Sequence, residues 1–229
     1  MNKKYKKAKK RLARLINNVF KVRYKGLANE PQGIPYIACC NHTSALDVAV
    51  FSVGLSRQIH YLSKKEVFKV PLLRGFAKNM GAIPVDRGHG DVTAVKKCIE
   101  MLKSGECMGI FPQGTRQKKK DPRTTPIKDG LGMMADRAKV GILPVCIRTK
   151  KNKLKMFHKT DFLVGEFISH EKLEEMFGHL SGKEKHRQIT EYAFSKVCEL
   201  NEMPRLTKET AEKWCLNRFE QPPMLEGKK

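Results

Sequence analysis

Short apolar runs alternating with longer stretches of helical spacing constrain this chain more than any other feature. The runs are Tyr36–Cys40, Ile59–Leu62, Gly81–Val85, Cys107–Phe111 and Ile142–Ile147. Each has strand length and few polar residues, the pattern of a strand covered on both faces. Between them lie helical stretches, including one beginning near Ala45, Val92–Leu102 and Gly130–Lys139. Residues 183–200 add another, with Ile189, Ala193, Val197 and Leu200 on one face. Such alternation builds an α/β domain with a mostly parallel central sheet flanked by helices.

The ends of the chain differ from this middle. Residues 1–26 hold eleven Lys or Arg and no acid. Tyr5, Ala8, Leu12, Leu15 or Ile16, and Val19 recur at steps of three and four, which predicts a basic amphipathic helix. That segment is expected to associate with an anionic membrane through this apolar face; the plainer alternative is that the helix packs on the protein body with its charges solvated. Residues 27–200 form the main domain, and residues 201–229, with Pro222 and Pro223, read as a loose tail. The polar run Gln117–Thr125 reads as a mobile surface loop.

Charge and cysteine content narrow the setting. Lys and Arg number 46 against 23 Asp and Glu, a formal net charge of +23. Such a surface attracts polyanions: anionic lipid, phosphorylated substrates or nucleic acid. The longest apolar stretch, Ala45–Leu55, falls short of the roughly 18–20 residues a membrane span needs and contains Asp47, so membrane contact is expected to be peripheral. Seven Cys without a CxxC pair point to reduced thiols in a cytoplasmic setting, and no zinc-ligand spacing is present.

Three short motifs carry the chemistry. The first is NHTSALD, Asn41 to Asp47, directly after a strand. A His and an Asp five positions apart can act as a base and its orienting carboxylate. On one continuous helix they would point about 140° apart. If His42 sits in the turn before the helix, with Ser44 as the cap, it can fold back onto Asp47. A plainer reading makes Ser44 and Asp47 a capping pair and His42 an ordinary loop residue. The second motif is GAIPVDR, Gly81 to Arg87, where a strand ends in a fixed cation suited to phosphate, or, on the plainer reading, in a surface Arg paired with Asp86. The third is FPQGTR, Phe111 to Arg116, in which Pro112 and Gly114 shape a turn bearing the Thr115 hydroxyl and the Arg116 cation; it is able to face an anion or, more plainly, is a strand-to-loop turn that merely contains an Arg.

In this order the motifs closely resemble the glycerolipid acyltransferase family, above all its branch that acylates 1-acylglycerol-3-phosphate. Leu143-Pro144-Val145 resembles the family's VPV-type strand, and Lys64 to Phe68 with Pro71 its KKELF-x-x-P segment. The resemblance covers roughly residues 20–170. It implies that His42 is a general base on the glycerol 2-hydroxyl and that Asp47 orients its imidazole. It implies direct attack on an acyl thioester, carried by acyl-carrier protein or coenzyme A, with no acyl-enzyme, metal or further cofactor. Lys64, Arg87, Gln113, Gly114, Thr115 and Arg116 become the candidate substrate-binding residues. The expected partners are lysophosphatidic acid, the acyl donor and the membrane, at the inner, cytoplasmic face; no nucleic acid is expected. One departure stands out: the family usually has Glu where this chain has Gln113. A catalytically weak lipid-binding relative and a basic nucleic-acid-binding protein are the other readings this sequence allows.

Overall fold

The computed structural model describes residues 3–69, 71–79, 81–85, 92–117, 120, 122–150 and 153–202. Along the chain run α1 (Lys3–Phe20), β1 (Val22–Lys25), β2 (Tyr36–Cys40), α2 (Asp47–Gly54), β3 (Ile59–Lys64), α3 (Pro71–Asn79) and β4 (Ala82–Val85). There follow α4 (Val92–Lys103), β5 (Cys107–Ile110), α5 (Gly130–Ala138), β6 (Gly141–Thr149), β7 (Thr160–Val164), α6 (His170–Phe177) and α7 (Gly182–Leu200). Arg87 and the end of the GAIPVDR motif lie outside the described residues, as does most of the 201–229 tail.

The strands form one sheet of seven in the order β1-β7-β6-β2-β5-β3-β4. From β6 to β4 every neighbouring pair is parallel. Only β6 and β7 are antiparallel, joined as a hairpin, and β1 then runs parallel to β7. The carboxyl ends of β2, β3, β4, β5 and β6 therefore share one edge of the sheet, where α/β folds place their ligands. The β6–β7 connection also lies at that edge.

Strand β2 shows why the sheet is apolar throughout. Ile37 and Cys39 join the core under α4, α5, α6 and α7, while Tyr36, Ala38 and Cys40 join the core under α1 and α2. Alternate side chains face opposite layers, so neither set can be polar. The six described cysteines are buried. Burial pushes the Cys107 thiol up to about 11 and holds Cys40 well above its usual range, so neither is a nucleophile at neutral pH.

Two sequence expectations change at the amino end. Residues 22–25, assigned with the N-terminal helical segment, form edge strand β1 of the main sheet. The apolar stripe of α1 does not face outward: Tyr5, Ile16 and Phe20 are buried, the last two against α2 and the sheet. The reason is that α2 and the sheet would otherwise leave this layer open to water. Lys9 bonds Leu55 O at the far end of α2, and Lys6, Lys7, Lys10, Arg11 and Arg14 are exposed.

A candidate active site at the carboxyl edge of the sheet

Strand β2 ends at Cys40, and the next residue holds the motif to the sheet. The Asn41 amide donates to Ile147 O at 3.1 Å and accepts from Ile147 N–H at 2.9 Å. It continues the β2–β6 ladder by one side chain, so the turn that follows starts from a fixed point. Asn41 had no assigned role in the sequence; only the β6 register reveals it.

His42 then meets Asp47. Its Nδ1 lies 3.0 Å from Asp47 Oδ2. The same oxygen accepts the backbone N–H groups of Thr43 at 2.6 Å and Ser44 at 2.7 Å. Helix α2 thus starts at Asp47, later than Ala45, and Ser44 is not its cap. The physical reason is that the Asp47 carboxylate reaches back to satisfy the N–H groups of Thr43 and Ser44, which closes residues 43–46 into a turn. Ser44 instead accepts from Leu46 N–H through its hydroxyl. With Asp47 as acceptor, His42 carries its proton on Nδ1 and keeps Nε2 free as a base. The His42 ring stacks on Phe111 with centroids 4.3 Å apart, which fixes its plane.

The FPQGTR turn after β5 grips the backbone of His42 from both sides. Gln113 Oε1 accepts the His42 N–H at 2.7 Å, and Gln117 N–H donates to His42 O at 2.8 Å. Gln113 Nε2 donates to Thr125 Oγ1 at 2.6 Å, and that hydroxyl donates to Pro122 O at 2.9 Å. Both polar ends of Gln113 are used inside the protein and the residue is only 4% exposed. Its amide oxygen meets the His42 backbone and its amide nitrogen meets Thr125. The 117–125 run is likewise no free surface loop at its described ends: Gln117, Arg123 and Thr125 are buried, Gln117 and Thr125 held by these bonds.

Of the remaining candidates, Gly114, Thr115, Arg116 and Lys64 sit at the same edge. Gly114, at φ +69°, makes the tight turn and donates its N–H to Phe111 O at 2.9 Å. Thr115 and Arg116 are exposed. Lys64 is exposed at the carboxyl end of β3, paired in register with Val85. The sequence reading missed Lys128. Its N–H bonds Pro112 O at 2.9 Å, and its stem lies over Gly114, where an added Cβ would come 3.1 Å from Cε. No periodicity marks Lys128; only closure of the loop back onto Pro112 brings its cation to this turn.

A buried carboxylate on one imidazole nitrogen, at the carboxyl edge of a mostly parallel sheet, is the arrangement of a general base in an α/β enzyme. The family model described as Acyltransferase matches residues 21–148, and the chain belongs to that family. It is 32% identical to the 1-acyl-sn-glycerol-3-phosphate acyltransferase of Bacillus subtilis, over 75% of this chain and 84% of that one. It is 30% identical to a chloroplastic 1-acyl-sn-glycerol-3-phosphate acyltransferase of Arabidopsis thaliana, over 56% of this chain and 36% of that one. A lyso-ornithine lipid O-acyltransferase of Pseudomonas aeruginosa shares 32% identity over 62% of this chain and 53% of its own length. The crystal structure of the 1-acyl-sn-glycerophosphate acyltransferase PlsC from Thermotoga maritima has the same fold, with a TM-score of 0.63 at 21% identity, covering 88% of this chain and 83% of that one.

Proposed function

We propose that this chain transfers a fatty acyl group from an acyl thioester to the 2-hydroxyl of 1-acylglycerol-3-phosphate, producing phosphatidic acid. The observation that carries the reading is the His42–Asp47 pair at 3.0 Å, in a chain so similar to the Bacillus enzyme. His42 Nε2 takes the hydroxyl proton as the oxygen attacks the thioester carbonyl. The carbon–sulfur bond then breaks, and the imidazolium returns the proton to the departing thiolate. Asp47 holds the tautomer and stabilises the imidazolium. Arg116 and Lys64 attract the acceptor phosphate, with Lys128 beside them and Arg87 carried over from the motif. The donor is carried by acyl-carrier protein or coenzyme A, and no other cofactor takes part.

The enzyme works at the cytoplasmic face of the membrane as a peripheral protein. Among the described residues no helix is long and apolar enough to cross a bilayer, and the exposed cations favour an anionic surface.

The test is direct. Purified protein is given lysophosphatidic acid with each donor in turn, and the product is identified by mass spectrometry. Phosphatidic acid should form, and Arg116→Ala should raise the KM for the acceptor more than that for the donor. Lyso-ornithine lipid is run in parallel as an acceptor without phosphate. No phosphatidic acid with either donor would refute the proposal.

A further inference from the structure

The connection between β6 and β7 ends in a turn that shows water two large apolar side chains in succession. Met156 is 56% exposed and Phe157 is 65% exposed. Single exposed apolar residues are ordinary, but adjacent ones at a loop tip need a reason. The turn is held in place: Phe157 N–H donates to Val19 O at 2.5 Å, and His158 N–H to Lys155 O at 3.4 Å. Phe157 has φ +61°, a conformation in which a bulky L-residue is strained and glycine is not. A hydrophobic ring is thus kept outward at a position whose backbone favours a residue with no side chain.

The surroundings match one kind of surface. Lys153, Lys155 and Lys159 flank the tip and are exposed, and the sequence from Lys150 to Lys159 has no acid. Leu15, one helical turn before Val19 on α1, is 60% exposed. Leu46, which follows the His42 turn, is also exposed. Strand β7 lies two strands from β2, about 10 Å at ordinary strand spacing. The tip therefore stands at the sheet edge on which His42 opens.

We propose that the Met156–Phe157 tip, with Leu15 and the flanking lysines, is the surface by which the enzyme seats itself on an anionic bilayer. The active-site edge then faces the lipid, and the acceptor reaches His42 without leaving the membrane. Apolar side chains enter the acyl boundary while the lysines meet anionic headgroups. The other apolar residues of α1 cannot do this alone, because Tyr5, Ile16 and Phe20 are already buried. The proposal rests on a membrane lipid being the acceptor.

The experiment compares the full chain with Met156→Ser/Phe157→Gly. Neither residue is in the catalytic machinery, and glycine at 157 relieves the backbone, so thermal stability should not fall. Flotation with phosphatidylglycerol/phosphatidylcholine vesicles should show at least ~10-fold weaker binding in the variant, in line with the loss of one buried aromatic side chain. Acylation of lysophosphatidic acid in vesicles should fall with it, while acylation of the same lipid in detergent micelles stays at the wild-type rate. Unchanged flotation of the variant overturns the proposal, as does an equal loss of activity in vesicles and micelles. Binding of a single-stranded oligonucleotide that the variant alone loses, with no vesicle binding by the wild type, overturns it in favour of nucleic acid. Wild-type protein that floats through this tip but forms no phosphatidic acid in either presentation contradicts the proposed reaction and leaves the membrane surface standing.

Discussion

His42 can accept a proton at Nε2 only while Asp47 takes the hydrogen on Nδ1. His42→Ala should leave a folded protein with acyl transfer reduced at least ~100-fold, the lower range for base catalysis. Asp47→Asn should also be impaired, because its amide no longer offers a charge to the imidazolium. Turnover of each purified variant checks this, with circular dichroism confirming the fold. Gln113 gives a finer test. Its oxygen faces a backbone N–H and its nitrogen faces Thr125, so the amide has one consistent orientation. In Gln113→Glu one carboxylate oxygen still accepts from His42 N–H. The Thr125 hydroxyl must turn its proton from Pro122 O to the other oxygen. Activity should stay within about one order of magnitude. Gln113→Ala leaves His42 N–H without its acceptor, at a cost of roughly 1–3 kcal/mol, and should lose more in kcat than in KM because it loosens the base rather than the substrate. If Gln113→Ala matches wild type in kcat/KM, the grip on His42 has no catalytic weight.

At the scale of elements, α1 behaves as a core helix with a basic outer face. Phe20 is 3% exposed and packs in the layer beneath α2. Phe20→Ala should destabilise the protein by about 3–5 kcal/mol, read as a lower urea midpoint at unchanged slope. A shift under ~1 kcal/mol would show that α1 is only loosely attached. The sequence made the central strands legible because β2 and β5 are covered on both faces and read as unbroken apolar runs. Strand β1 was not legible: Val22, Arg23, Tyr24 and Lys25 alternate in an edge strand, inside a run whose charge suggests a helix. Strand β6 carries Pro144, normally a mark against a central strand. It is tolerated because β7 pairs only from Val145 onward, and Pro144 O is taken by Gly165 N–H at 2.9 Å. In the site, the motifs were legible as residue types at strand ends, and the His42–Asp47 contact followed from the turn. The helix start was not, since it depends on which side chain satisfies the N–H groups of Thr43 and Ser44. Lys128 and the Gln113–Thr125 bond were hidden as well, since loop closure has no local pattern.

Across the whole molecule, a net charge of +23 makes every remaining carboxylate an asset, and one network ties three helices together. Lys185 on α7 bridges Asp136 on α5 and Glu174 on α6 at 2.8 and 2.7 Å, and His186 Nε2 lies 3.1 Å from Asp136. Burial pushes the Asp136 carboxyl up, but the hydrogen bonds from Lys185 and His186 outweigh it and hold the group below its ordinary range. A depressed carboxylate stabilises the fold fully above its unfolded pKa of about 3.9, and this contribution is lost as pH falls through the lower folded value. Lys185 is shifted upward, first by its bond to Asp136, so its own contribution is present at neutral pH and is lost only in strong alkali. Acid therefore removes the Asp136 contribution while the positive charge of the molecule grows and repels itself. Asp136→Asn should be less stable than wild type near pH 7 by about 0.5–1 kcal/mol, the range for a partly screened ion pair. The gap should close as pH falls toward 3, and added salt should narrow it at neutral pH. Thermal melts of both proteins from pH 7 to 3 decide it: a gap that persists at pH 3 would show that Asp136 acts through packing and not through its charge.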